Sequence, residues 1–350
     1  MRKEAGILVA ACFYYSGLVK LARWTMRRSE GQLIILNYHR ATGGDLRRHL
    51  LYLRRHYRML HLEEALEELY LCGKTKKQRL DRRTPLVLTF DDGYRDAYTH
   101  GFALAQELQI PITIFLIPGY IESSDRFWWL EGRRLAHHAT IDEVTLSGCT
   151  YHLGNGEERD LLAQKIDGCL RHASSVVARE AFLKEMRDLL RVPADAHWDG
   201  ASRPLTWAEV HEMAQSELVS FGAHTMYHPI LAYLSDTAEL QREVGECRSI
   251  LEQHLGRPVR TFAYPVGRSE HIGEEALQAV RTAGYTWAVT TTNGFSSPKD
   301  NPHLLRRVLG DVTRHWLVMA AETSGVWSFF SPLWKWSKPA AKLRNRKEQV

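Results

Sequence analysis

Two acids stand side by side in VLTFDDGYRD (87–96), where Asp91 and Asp92 close an apolar run and precede Gly93. Further along, GAHTMYHP (222–229) sets His224 and His228 four residues apart. At that spacing two imidazoles can turn to one point and accept a divalent cation. Pro229 biases His228 away from helical geometry and toward a turn. A third imidazole, His39, ends another apolar run in LNYHR (36–40). Neighbours on an extended chain point to opposite sides, so Asp91 and Asp92 divide two jobs. One joins the histidines in an open three-ligand site of the hydrolase type, and the other stands beside it as a base. The cation's role would be to acidify a water and polarise a substrate carbonyl. The competing use of the two acids is as caps for the helix that starts near Gly93.

These residues need a scaffold that gathers them at one edge. Short apolar runs at 33–38, 86–90, 112–117, 218–223, 260–264 and 287–291 are continuous more than alternating, as in strands covered on both faces. Between them lie helical patterns at 62–71, 94–109, 237–255 and 274–284. Strand and helix in alternation give an α/β domain with parallel strands, whose chemistry collects at the C-terminal strand ends. Asp91, Asp92, His224, His39, Pro265 and Gly267 all follow such ends. Residues 120–203 break the rhythm and form a mostly helical insertion. Within it FWW (127–129) offers aromatic planes for a sugar face or for the core, and His137 and His138 diverge on a helix as solvated residues.

TFDDG (89–93), HTMYH (224–228) and FAYPVG (262–267), in this order, resemble the polysaccharide deacetylase family with its NodB-type homology domain, carbohydrate esterase family four. The likeness runs over about residues 31–310, and the domain is set at 31–315. It implies a distorted (β/α) barrel of fewer than eight strands. It also implies one divalent metal ion, zinc first and other divalent ions as alternatives, held by Asp92, His224 and His228, with Asp91 as the base. Pro265 and Gly267 match the family's RxPxG motif, and the N–H of Val266 takes the oxyanion role. Ala263 stands where the family has the arginine that steadies the base, so either Arg260 or an arginine elsewhere does this, or the base is held differently. LLRRV (304–308) lacks the late histidine of the general acid. Some members carry permuted motifs with a Tyr-His near the front, which assigns that role to His39. Tyr94 lines the site. The implied reaction is hydrolysis of the N-acetyl group of an amino sugar in a polysaccharide or oligosaccharide. The alternatives are a deformylase or deacetylase of a lipid-linked sugar and, in another class, a non-catalytic glycan-binding barrel. A two-carboxylate glycosidase fits poorly, because its acids must flank the bond from about 5 Å or more apart.

Charge is distributed unevenly. Residues 1–30 carry six Lys/Arg against two Glu, and 335–350 carry six against one, so the ends hold +9 of a net +5 and the body −4. A mildly acidic body excludes a nucleic-acid-binding core, while basic ends suit an anionic surface. AGILVAACFYYSGLV (5–19) is apolar but short for a span, which makes 1–30 a candidate surface or shallow membrane anchor or an uncleaved signal-anchor, with a plain buried helix as the third reading. The 316–350 tail interleaves Trp327, Trp334 and Trp336 with cations, a pattern suited to lipid headgroups or to a tail packed on the domain. Five scattered cysteines, Cys12, Cys72, Cys149, Cys169 and Cys247, form neither a disulfide framework nor a zinc cage. The expected location is membrane-associated in a bacterial-type envelope, with the cytoplasm as the alternative that reduced thiols favour.

Overall fold

A computed structural model describes residues 2–28, 31–71, 81–121, 127–193 and 202–327. The chain opens with α1 (Arg2–Tyr15) and α2 (Leu18–Arg28), then runs through β1 (Ile34–Tyr38), α3 (Leu46–His56), β2 (Arg58–Met59), α4 (Leu62–Leu71) and β3 (Pro85–Phe90). Next come α5 (Ala103–Leu108), β4 (Ile112–Leu116), α6 (Trp128–His138), β5 (Glu143–Leu146), β6 (Cys149–His152), α7 (Gly156–Arg171) and α8 (Val176–Leu189). The last part holds α9 (Trp207–Ala214), β7 (Val219–Ala223), α10 (Thr237–Leu255), β8 (Thr261–Ala263), α11 (Ser269–Thr282), β9 (Trp287–Asn293), β10 (Leu305–Leu309) and α12 (Trp316–Ser324).

Seven strands pair in parallel in the order β1-β10-β9-β8-β7-β4-β3, and β1 pairs back onto β3 from Ile34↔Leu86 to Tyr38↔Phe90, closing a barrel. The two residues of β2 extend the start of β3. Alternation divides each strand between two cores. Ile34, Leu36, Leu86, Leu88, Ile114, Phe262 and Val308 face the surrounding helices. Leu33, Ile35, Val87, Phe115, Ala263, Val289 and Leu305 fill the barrel, and Leu62, Ala65 and Leu66 of α4 pack against them as a floor. Each valine, leucine, isoleucine or phenylalanine among them contributes about 1.5–3 kcal/mol by burial. The filled lower half leaves the upper rim for polar residues.

The expected α4 and α10 have the bounds read from periodicity. The helix expected at 94–109 is broken: a π turn spans Ala97–Phe102, α5 follows, and Gln109 ends it in the left-handed region. The insertion is more than helical. Its helices α6, α7 and α8 share a core with Tyr94, Ile117 and Tyr120, but β5 and β6 form an antiparallel ribbon with Val144 opposite Tyr151. Ser147 and Gly148, at φ 50° and 78°, give the two left-handed residues that such a two-residue turn needs. At the front, Ala10, Val19 and Ala22 dock α1 and α2 on Leu317, Ala321 and Val326. No single helix among the described residues is long and apolar enough to cross a membrane; α1 and α2 would do so only as a pair bent by 69°. Trp334, Trp336 and Cys72 lie outside the described residues; Cys12, Cys149, Cys169 and Cys247 are free thiols.

Inside the barrel Gly222 leaves room for a ring: a Cβ there would stand 2.4 Å from Phe115 Cε1 and 2.6 Å from Thr261 Oγ1. Gly222→Ala is therefore expected to lower the unfolding free energy by about 1–3 kcal/mol, read from urea midpoints.

Candidate metal centre

Asp91 continues the inward alternation of Val87 and Thr89, and its N–H donates to Tyr38 O at 2.9 Å, fastening the ends of β3 and β1. Asp92 and Gly93 then turn the chain with φ of 72° and 70°. Extended alternation thus ends at Asp91, and the two carboxylates part by a backbone turn. Across the rim His224 continues β7, its N–H donating to Leu116 O at 2.9 Å. Residues 224–228 are a turn and not a helix, with Thr225 at φ 64° and His228 at φ 54°. Thr225 Oγ1 donates to His224 O and accepts the His228 N–H. Glu243 of α10 holds the same turn, accepting the Tyr227 N–H at Oε2 (2.9 Å). Trp128 Nε1–H donates to His228 O at 2.9 Å.

This framework sets Nε2 of His224 at 3.4 Å and Nε2 of His228 at 3.6 Å from Asp92 Oδ1. All three side chains are buried, and their donor atoms lie within 4.8 Å of one another. His224 Nδ1 faces the Ala263 carbonyl at 2.7 Å. A carbonyl only accepts, so this nitrogen carries a proton and Nε2 is the atom turned toward Asp92, where it could ligate a cation once deprotonated. Asp92 Oδ1 and His228 Nδ1 are buried and take no hydrogen bond among the described residues. The set fits a divalent cation: ligands about 2.0–2.2 Å from a tetrahedral ion stand about 3.3–3.6 Å apart. Burial opposes ionisation of Asp92, but His224, then His39 and His228, outweigh it and hold the carboxyl well below the usual range. Burial, with the neighbouring His224, drives His228 down to about 3, leaving it neutral as a ligand must be.

The arginine that steadies Asp91 is Arg307. Its Nη1 and Nη2 donate to Asp91 Oδ1 and Oδ2, both at 2.8 Å, while Nε donates to Thr290 O. The pair is 1% and 2% exposed. Burial would raise the Asp91 carboxyl, and Arg307 leads the effects that hold it below its ordinary value. Arg260 does not serve here: it is half exposed and faces Glu63 and Glu67. In LLRRV (304–308) no motif separates Arg307 from the adjacent Arg306. The signal for Arg307 was inward parity with Leu305 on a strand.

His39 follows β1 and is half-buried, near enough to Asp91, Asp92 and His228 to weigh on all three electrostatically. The residue that holds its loop, Asp96, was also missed. Asp96 Oδ2 accepts from Arg40 Nε, the N–H groups of Ala41 and Thr42, and Thr42 Oγ1, at 2.7–3.1 Å. Tyr94 is buried, with Trp129 Nε1–H donating to its hydroxyl at 2.7 Å. Of the FWW triplet, Phe127 and Trp128 are core. Trp129 is half-buried against the His228 ring, centroids 4.5 Å apart. His137 pairs with Asp160 and His138 with Arg134 O, outside this cluster. Val266 sits at φ 58°, a costly conformation for a β-branched residue. Its N–H makes no hydrogen bond among the described residues, while its carbonyl accepts from Thr291 Oγ1 at 2.7 Å. Pro265 is buried before it. Gly267 follows at φ 66°, where a Cβ would meet Thr291 N and Tyr264 O at 2.9 Å.

Comparison with known proteins agrees with this geometry. The family model described as polysaccharide deacetylase matches residues 79–288. YxkH of Bacillus subtilis, named as a polysaccharide deacetylase, is 31% identical over 109 residues, which is 31% of this chain and 37% of that protein. The chain thus spans little more than a third of that relative. Among solved structures, IcaB from Ammonifex degensii has a TM-score of 0.54 at 20% identity, over 84% of this chain and 97% of its own. The Streptococcus pyogenes deacetylase PplD, in complex with acetate, gives 0.51 at 19% identity over 83% and 97%. These likenesses show the barrel.

Two outcomes follow from the geometry. Arg307→Met is expected to cost about 3–5 kcal/mol of unfolding free energy by stranding the Asp91 charge, and adding Asp91→Asn should restore part of it in urea titrations. Burial pushes the Glu243 carboxyl from 4.5 up to about 7. Between those values the unfolded chain has released a proton that the folded chain keeps, so stability falls as pH rises. Glu243→Gln keeps an oxygen for Tyr227; it should match the parent near about pH 4 and exceed it by up to about 3 kcal/mol at about pH 8.

Proposed function

Because the chain belongs to the polysaccharide deacetylase family, we propose that it is a carbohydrate N-deacetylase, a hydrolase of non-peptide C–N bonds that removes the acetyl group of an N-acetylated amino sugar in a glycan. One observation carries this reading: a buried Asp92–His224–His228 triad stands beside a second acid, Asp91, that is held apart from it by Arg307. A divalent cation held by the triad, zinc by its donor set, supplies Lewis acidity toward water and the amide carbonyl.

The chain's own residues do the rest. Asp91 takes a proton from the attacking water, its carboxylate kept ionised and aimed by the arginine fork. Val266 N–H, fixed in a left-handed backbone and without a partner among the described residues, donates to the oxygen that gains charge as the carbonyl becomes tetrahedral. His39 delivers a proton to the departing nitrogen. The balance is one amide and one water to a free amine and acetate, and the acetate in the PplD complex supports that product. Trp129, half-buried against the His228 ring and held by its hydrogen bond to the buried Tyr94 hydroxyl, offers an aromatic face suited to a pyranose ring. An intact base and ligand set weigh against a non-catalytic glycan-binding barrel. A lipid-linked sugar is the second reading, favoured by the apolar, cationic N-terminal helices, with an envelope membrane as the setting.

The test is acetate release from N-acetylglucosamine oligomers by metal-reconstituted protein. Chelation and Asp92→Ala are expected to abolish release together with bound metal. Asp91→Asn and His39→Ala should each lose about 10²–10⁴-fold in kcat with metal content unchanged. Undiminished release by Asp92→Ala would overturn the reading; metal retention without release from oligomers would move the substrate to a lipid-linked or formylated sugar.

A further inference from the structure

The two N-terminal helices have a satisfied face and an unsatisfied one. The inner face is small: Ala10, Val19 and Ala22 seat against α12. Outward, Leu8, Val9, Tyr15, Leu21 and Trp24 are 67, 40, 75, 52 and 48% exposed, and neighbouring Trp327 is 37% exposed. These are half of the twelve large apolar side chains exposed in the described residues, so the exposure is concentrated here and not scattered. Lys20, Arg27 and Arg28 are exposed on α2, which contains no acid. The Arg28 guanidinium lies 3.8 Å from the Trp24 ring centroid. An exposed tryptophan under a cation is ill-suited to water and well suited to a headgroup layer.

We propose that the α1–α2 hairpin is an in-plane dock for an anionic lipid bilayer. Charge complementarity selects this occupant: a cationic, apolar face belongs to a chain whose body, between the basic ends, carries −4. Length sets the orientation. Helices of 14 and 11 residues extend about 21 and 16 Å, short of the roughly 30 Å hydrocarbon core. Joined at Gly17 with a 69° bend, the two axes can lie together in the plane of one surface. The same helix α2 walls a cleft of about 920 Å³, where Ala22 and Met26 face Phe295, Leu309 and Thr291 at the ends of β9 and β10. Thr291 is the residue whose hydroxyl donates to Val266 O. Docking therefore brings the β9–β10 side of the candidate active-site rim to the lipid surface. The dock itself stands on the exposed helices and does not depend on the reaction assigned above.

The experiment is co-sedimentation of the full-length protein with vesicles of phosphatidylcholine alone and of phosphatidylcholine mixed with phosphatidylglycerol. Binding is expected to the anionic vesicles, weakened by salt. The variant K20E/R27E/R28E should lose about 100-fold or more in affinity. L21S/W24S should lose binding at any salt. Both variants change exposed residues, so thermal midpoints and near-UV spectra should match the parent. Equal binding to neutral vesicles, no binding, resistance of the bound protein to alkaline carbonate, or a vesicle-independent dimer that W24S abolishes would each overturn the proposal, the last two in favour of a spanning anchor and of a second copy of the chain.

Discussion

Two adjacent carboxylates are buried at 2% and 6% exposure, and the barrel rim is organised around giving each its own cationic counterpart. Asp91 receives a guanidinium from β10; Asp92 faces two imidazoles whose geometry suits a divalent ion. Were the two to share one partner, neither could act independently. The fork of Arg307 satisfies both oxygens of Asp91, which separates the base from the ligand set. A buried pair of this kind adds little net stability, because desolvation offsets attraction. What it adds is position.

Closure of the barrel is what makes that position possible. Asp91 and Arg307 are 216 residues apart, and they meet because β1 bridges β3 to β10. The lower half is filled by aliphatic side chains above α4, so the polar rim sits on a rigid floor. Local strain is concentrated at the rim. Asp92, Thr225, His228 and Val266 are four of the seven non-glycine residues with positive φ among the described residues. Strain of this kind persists where surrounding bonds over-determine it, and here Thr225, Glu243 and Thr291 supply those bonds.

Much of this was legible from residues alone, and the reasons for the remainder are specific. Apolar runs marked six barrel strands, and the acids and histidines stood at their ends. β10 escaped notice because Arg306 and Arg307 interrupt its apolarity, although one of the two points inward to serve the base. The histidine pair was readable at its spacing, and Pro229 rightly pointed to a turn. The separation of Asp91 from Asp92 was anticipated for the wrong reason: a left-handed residue divides them, not strand alternation. Asp96 could not be read at all, since its partners Arg40–Thr42 lie more than fifty residues away. Pairwise contacts across a closed sheet leave no mark on local periodicity.

The most direct measurement is zinc-edge anomalous diffraction from crystals of the metal-loaded protein. A single peak bonded to Asp92, His224 and His228, with Asp91 still seated on Arg307, is the expected result. An ion ligated by Asp91, or one bound away from the triad, would contradict the division of labour between the two acids.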